Sequence, residues 1–371
     1  GTGPYKVKEF KPNDVVTYEL NENYRDPNKP FFKGVTFKGG GDATSAARAV
    51  FQTGESDYSW NLQIEAAVLK PMIEAADSKG KLITAVSSNV EKLILNRTNP
   101  DPALGDKRAE PDQPHPFLSD LKVRKALAMA VDRKPMADLY GGGLAGGASC
   151  NIIVGVPEFT SKNTASLDVC RFDIAAANRL LDEAGATKGA DGIRVYKGKP
   201  MAILFQTTVN PLRQKQQAIV KDGWEKLGIK VELKASNPGV FFGRDGNDAA
   251  SKFFADVEMF TNLLDSPDPT SDISRWTCAE IKTKAAAWSG TNYERWCNKD
   301  YDALHAQLKK EADPAKRAEI IVKMNDLLIS DVVVIALVAR NSPLSGISKQ
   351  LKGVLPNPWD SEMWNVADWT K

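Results

Sequence analysis

Apolar segments short enough to be strands return along this chain, and capped amphipathic helices lie between them. Strand candidates cover 15–20, 35–37, 93–96, 201–205, 229–233 and 332–338. In the fifth, Ile229, Val231 and Leu233 alternate with Lys230, Glu232 and Lys234, the period-two pattern of a strand with one solvated face. The last is apolar throughout, as a strand covered on both faces should be. Asp120 is placed to N-cap a helix whose buried stripe is Val123, Leu127, Ala130 and Val131, running on to Tyr140. Asp173 opens a second helix and Gly185 stops it. Pro211 opens a third, with Leu212, Ile219, Val220, Trp224 and Leu227 as its stripe and Gly228 as its end. Asp313-Pro314 starts a fourth, lined by Ile320, Ile321, Met324, Leu327 and Leu328. Strand–helix alternation of this kind predicts an α/β protein built in layers.

A length of 371 residues favours two or three domains. With 42% hydrophobic and 26% charged residues, the chain has enough apolar surface for a sizeable core, which excludes a disordered chain. The longest apolar run, 332–339, is far short of the roughly 18–20 residues a membrane span needs. The net charge of +2 is spread rather than gathered in a block, which argues against nucleic-acid binding. Cys150, Cys170, Cys278 and Cys297 fall into two pairs at spacings of 20 and 19. Neither spacing is a zinc knuckle. Nearest-neighbour disulfides, Cys150–Cys170 and Cys278–Cys297, are expected, and with them an oxidising compartment; four unpaired core cysteines are the alternative. The first residues carry neither a basic nor an apolar leader, so a signal peptide is expected to have been removed. Two composition shifts mark loops: the glycine run 141–147 and the polar, Gly-rich stretch 237–251.

Few residues offer chemistry of their own. Gly141, Gly143 and Gly146 match G-x-G-x-x-G but follow a helix instead of a strand, so they fail the context a dinucleotide site requires. Gly39-Gly40-Gly41 lacks the Lys and hydroxyl of a phosphate loop. His115 and His305, the only histidines, belong to no zinc or catalytic motif. No nucleophile elbow is present. Asp265-Ser266-Pro267-Asp268-Pro269 follows the strand-like stretch 257–264. Strand carboxyl ends are where α/β sheets place ligands, though a Pro-stiffened surface turn would read the same. Trp276, Trp288 and Trp296 cluster with Arg275 and Arg295, and Trp60 follows a turn at 54–57. Such rings suit either a binding wall or a core.

Several motifs together resemble one family. GTGPY at 1–5 with Asn21 and Tyr24, AARAVFQTGESD at 46–57, and PFLSDLKVRKAL at 116–127 with AVDR at 130–133 are similar to the signatures of the oligopeptide/dipeptide/nickel-binding family (family 5) of extracytoplasmic solute-binding proteins of ABC importers. The 173–185 helix, LGIKV at 227–231 and the "D..DP" segment at 265–269 resemble the same family, in family order. The resemblance implies an α/β two-lobe, periplasmic-binding-protein-like (type II) fold, lacking the N-terminal part of lobe I and a small extra domain that precede GTGPY in the family. It places lobe I at 1–147 and 336–371 and lobe II at 148–335, with crossovers at the glycine run and near 334–340. It implies a monomer in the periplasm that captures a peptide or similar small polar solute between lobes and hands it to ABC permease subunits. No catalysis, cofactor or metal is implied. In peptide-binding relatives the first Asp of "D..DP" pairs with the solute's amino group; that position is Asp265. Asn262 stands where some peptide binders carry Trp, and Met259 where oligopeptide binders can carry Arg, so opines, sugars and other amine-bearing solutes stay open. The expected ligand residues are Asp265, Asn262, Arg275 and Trp276 on one lobe and Trp60 and Asn61 on the other. The rival reading is a secreted hydrolase of oligosaccharides or peptides using paired carboxylates.

Overall fold

The structure is a computed structural model that describes every residue except Asn13, 141–145, Leu263, Ser342 and Pro343. Most of the glycine run expected as a crossover, including Gly141 and Gly143, therefore lies outside the described residues. The chain divides into two compact units. The first comprises Gly1–Ser87, Tyr140–Ala145 and Asn341–Lys371; the second comprises Ser88–Leu139 and Gly146–Arg340. These boundaries differ from the expected lobes, because residues 88–139 and the strand near 334–340 both belong to the second unit. The cause is strand pairing: the 89–95 segment is hydrogen-bonded to strands from 257–262 and 334–340, and all three share one sheet.

The first unit holds two three-stranded antiparallel sheets. One runs Tyr5–Lys11, Val15–Leu20, Gly34–Lys38; the other places Leu344–Ser348 between Tyr58–Ser59 and Gly80–Thr84. A small core of Ile347, Leu351 and Trp369 sits on the second, with Phe32, Ile83 and Met363 against it. Tyr58 stacks on Trp369 at 5.4 Å between centroids.

The second unit is organised on a six-stranded sheet. Its strands are β1 (Asn89–Leu95), β2 (Gly146–Ala148), β3 (Ala202–Thr208), β4 (Lys230–Ser236), β5 (Val257–Asn262) and β6 (Val334–Arg340), in the order β4-β3-β5-β1-β6-β2. β3 is parallel to β4 and β5, whereas β1 and β6 run antiparallel to their neighbours. β2 can lie against β6 because Gly146 has no Cβ; one there would stand 1.9 Å from the Ala339 carbonyl oxygen. β6 is buried along nearly its whole length, as its unbroken apolar sequence requires.

The helices are α1 (Leu121–Met129), α2 (Ile174–Glu183), α3 (Pro211–Lys226), α4 (Lys299–Leu308) and α5 (Pro314–Ser330), besides shorter ones. Asp120, Asp173 and Asp313 each accept a backbone N–H of the first turn, the expected caps. Pro211 is the first residue of α3, as expected, and Asn210 caps it. The helix read through to Tyr140 is in fact broken. α1 ends at Met129 and a separate helix starts at Arg133, since the Asp132 carboxylate accepts the Lys134 N–H and competes with the continuing ladder. The 237–251 stretch is not all surface loop either: Pro238–Phe241 forms a helical turn that buries Phe241.

Cys150 is bonded to Cys170 and Cys278 to Cys297, with Cα atoms 5.6 and 4.6 Å apart. His115 is a core residue. Its Nδ1 accepts the Phe117 and Leu118 N–H groups, so Nε2 carries the proton and donates to Asp256 at 2.9 Å. Among the described residues no helix is long and apolar enough to cross a membrane.

Candidate functional site

The strand directions bring four chain ends to one edge of the six-stranded sheet. The C-terminal ends of β3 and β5, the N-terminal end of β1 and the C-terminal end of β6 meet there. α3 starts directly after β3, so its first turn lies at the same edge. Ligands of α/β sheets bind at strand carboxyl ends for this reason: helix N-termini and loops converge where the sheet stops.

Successive strand residues point to opposite faces, which separates Glu91 from its neighbour Lys92. On the α3 face, Glu91 is fully buried and receives two guanidiniums. Arg213 reaches it from α3 at 2.8 Å and Arg340 from β6 at 3.4 Å. The Thr261 hydroxyl donates to Glu91 at 2.8 Å and accepts from both arginines at 3.0 Å, while Arg213 also reaches Thr208 at 2.8 Å. Burial pushes the Glu91 carboxyl up, but Arg213, Arg340 and the Thr261 hydroxyl overcome this and hold it at about 2. Two cations on one anion leave these three residues a formal charge of +1 at the sheet edge.

On the opposite face lie Lys92, Glu258, Phe260 and Asn262, with Glu294 and Arg275 from the following chain. The Lys92 ammonium sits 4.0 Å from the Phe260 ring centroid, and burial lowers it to about 8 despite the opposing pull of Glu294. Burial raises Glu258 to about 8, and raises Glu294 as well. The Asn262 Oδ1 accepts from Arg275 at 2.7 Å, and its buried Nδ2 has no partner among the described residues.

The residues expected at the site are placed as follows. Arg275 joins Asn262 to the loop beyond β5, because its Nε also donates to the Asp272 carbonyl at 2.7 Å. The Asp272 carboxylate in turn accepts the Asp265 N–H at 3.0 Å. Leu264 is pinned through both backbone groups to the Ser88 hydroxyl, at 2.9 and 3.0 Å. Asp268 is committed to structure: it accepts from Arg317 at 2.6 Å and from Thr270. Asp265 is thus an exposed residue on a loop fixed from both sides, and its carboxylate has no hydrogen bond or ion pair among the described residues. Trp276 is only 1% exposed, with its Nε1 donating to Glu294 at 3.4 Å. Its burial matches the core alternative left open for that tryptophan cluster, and Trp296 is buried too. In the first unit, Trp60 is 62% exposed and Asn61 takes a φ of 50° and accepts from Gln63 at 3.2 Å.

Sequence reading missed Glu91, Lys92, Arg213 and Arg340. The available signal was a charged pair inside the apolar stretch NVEKLIL and an Arg closing the apolar run of β6. Among the described residues, the one grouping near enough to ligate a metal is Cys278, Cys297 and Asp302, and its two sulfurs are bonded to each other.

Comparison with known proteins bears on what this edge belongs to. The family described as bacterial extracellular solute-binding proteins, family 5 (middle part), matches residues 1–284. The chain belongs to that family. A dipeptide-binding protein from Pseudomonas aeruginosa is 25% identical over 371 residues, covering 99% of this family 5 chain and 61% of the relative. The oligopeptide-binding protein from Thermus thermophilus, solved with a pentapeptide, superposes with a TM-score of 0.79 at 19% identity, covering 97% of this chain and 62% of that one. NikZ from Campylobacter jejuni, solved with Ni(L-His), gives 0.75 at 22% identity, covering 100% and 68%. These superpositions show the two-lobe, type II fold of periplasmic binding proteins. The family 5 chain spans about six-tenths of the length of the curated relatives it matches. Those relatives carry the names of binding proteins, not of enzymes.

Proposed function

We propose that this chain is part of the solute-capturing component of an ABC importer, which holds a small amine-bearing solute of the peptide class and delivers it to a membrane permease without breaking a bond. Its two compact units would be the two lobes. The observation that carries this reading is Asp265, a carboxylate at the end of β5 that is fixed through its backbone and left open at its side chain. A primary ammonium is the natural partner, because a charge-assisted hydrogen bond from a cation to a carboxylate is strong and the fixed loop lowers the ordering cost of binding. A short peptide with a free amino terminus supplies such an ammonium. Relatives support the class, since they include dipeptide- and oligopeptide-binding proteins. The hydrolase reading has no support among the relatives, which carry the names of binding proteins, and Glu91 is held by two arginines and Asp268 by Arg317.

Titration of the full-length protein with a dipeptide panel tests the proposal. Asp265→Asn should weaken binding by about 1.5–3 kcal/mol for free peptides and leave N-acetylated ones unchanged. Equal affinity of parent and variant for free dipeptides would remove Asp265 from the site. Turnover of the peptides would replace capture by hydrolysis.

A further inference from the structure

A second feature of the Ser88–Arg340 unit stands apart from the sheet edge and shares no residue with it. The loop closed by the Cys150–Cys170 disulfide lies along α4 and α5, and together they wall a groove of about 570 Å3, within the usual range for small-molecule sites. Its floor is apolar: Leu167 from the loop, Ala303 and Leu304 from α4, and Leu327 from α5. The three leucines are half-buried, so their remaining surface faces the groove.

Asp326 stands at the groove's edge. Its carboxylate accepts the Ser161 hydroxyl at 2.5 Å, the Asn163 amide at 2.7 Å and the Asn325 amide at 3.4 Å. All three donors are neutral, so the negative charge is oriented but not compensated, and it has no ion-pair partner among the described residues. A carboxylate has about four acceptor positions, which leaves room for one more donor. The loop that supplies Ser161 and Asn163 is itself rigid: Asn151 bonds the Ser161 carbonyl at 2.8 Å and the Thr164 hydroxyl at 2.9 Å. Asn325 accepts the Ile152 and Ile153 N–H groups. Across the groove Asp300 on α4 adds a second carboxylate, and Lys323, three residues before Asp326 on α5, adds one ammonium, so the charged lining residues sum to −1.

We propose that this groove is a second binding site, for a small amphiphilic cation of the alkylammonium type, with its chain on the leucines and its ammonium on Asp326. The chemistry selects among ligands. An apolar molecule would cover Asp326 and desolvate its charge without compensation, and an anion would be repelled; only a cation with an apolar body satisfies both halves. The site is independent of the solute reading given above.

Isothermal titration of the 371-residue chain with n-hexylammonium tests it, with 1-hexanol and hexanoate as the neutral and anionic probes of the same chain length. Hexylammonium should bind at least about tenfold more tightly than either. Asp326→Asn should cost about tenfold for hexylammonium and nothing for hexanol. Ala303→Trp, at an exposed position, should fill the groove and abolish binding while leaving the melting profile intact, which keeps the test valid if Asp326→Asn perturbs the loop. Asp265→Asn should leave hexylammonium binding unchanged. Equal affinity for hexylammonium and hexanol, or no effect of Ala303→Trp, would overturn the proposal, and loss of binding in Asp265→Asn would move the cation to the sheet edge.

Discussion

Glu258 carries the sharpest prediction. It lies on β5 with its Oε2 buried and without a hydrogen-bond partner among the described residues. Burial raises its carboxyl from 4.5 to about 8, against the pull of Arg295 and Lys92. Between those values the folded chain keeps a proton that the unfolded chain has released. The group's contribution to stability is therefore full below pH 4.5 and is lost as pH climbs through about 8. At about 1.4 kcal/mol per pH unit the whole interval amounts to on the order of 5 kcal/mol, of which about 3 kcal/mol falls between about pH 5 and about pH 8. Glu258→Gln keeps the shape and removes the titration. Urea unfolding of parent and variant at those two pH values, taken as a difference so that other titrations cancel, should show the variant gaining about 3 kcal/mol on the parent at the higher pH. Parallel behaviour of the two proteins, with a constant offset, would show that Glu258 is ionised throughout or solvated in the fold.

Arg213→Met leaves the buried Glu91 carboxylate with one guanidinium fewer and should cost about 3–5 kcal/mol. Because Glu91 is held at about 2, its stabilisation is present above 4.5 and lost as pH falls through about 2, so the acid-unfolding midpoint of this variant, followed by circular dichroism, should move to higher pH. Gly223→Ala should lower the thermal midpoint although alanine is the better helix former, since a Cβ would stand 2.0 Å from the Ala130 carbonyl oxygen. Replacing Cys278 and Cys297 together by serine should lower stability by about 3 kcal/mol in non-reducing denaturant titrations.

The layered α/β class and most helix starts were legible because their signals are local. A cap such as Asp173 or Asp313 needs only the N–H three residues on. The break after Met129 was not, since the apolar period runs on through Ala130 and Val131 while the deciding contact is a single carboxylate at Asp132. β1 was read only from Leu93, because Glu91 and Lys92 disguise a fully buried strand as a polar one; their burial depends on Arg213, 122 residues away, and on Phe260. The same distance hid the different roles of the two carboxylates in the 265–269 segment. Asp268 is spent on Arg317, 49 residues further on, while Asp265 is not, and nothing in the segment itself distinguishes them. Tryptophans were ambiguous for a simpler reason: a large ring suits a core as well as a wall, and only burial separates Trp276 from Trp60.

The pairing of β1 between β5 and β6 also sets an order of events during synthesis. Glu91 and Arg340 are separated by 249 residues, yet they share one hydrogen-bonded site in the middle of the sheet. A chain emerging from its N-terminal end exposes β1 long before either neighbouring strand exists, and the loop that must close is among the longest the chain can form. Such non-local strand pairing slows folding and leaves an unpaired apolar edge open to intermolecular association meanwhile. The Glu91–Lys92 pair then acts in a second capacity: until its partners arrive, it places two charges inside an otherwise apolar, aggregation-prone strand segment of the growing chain.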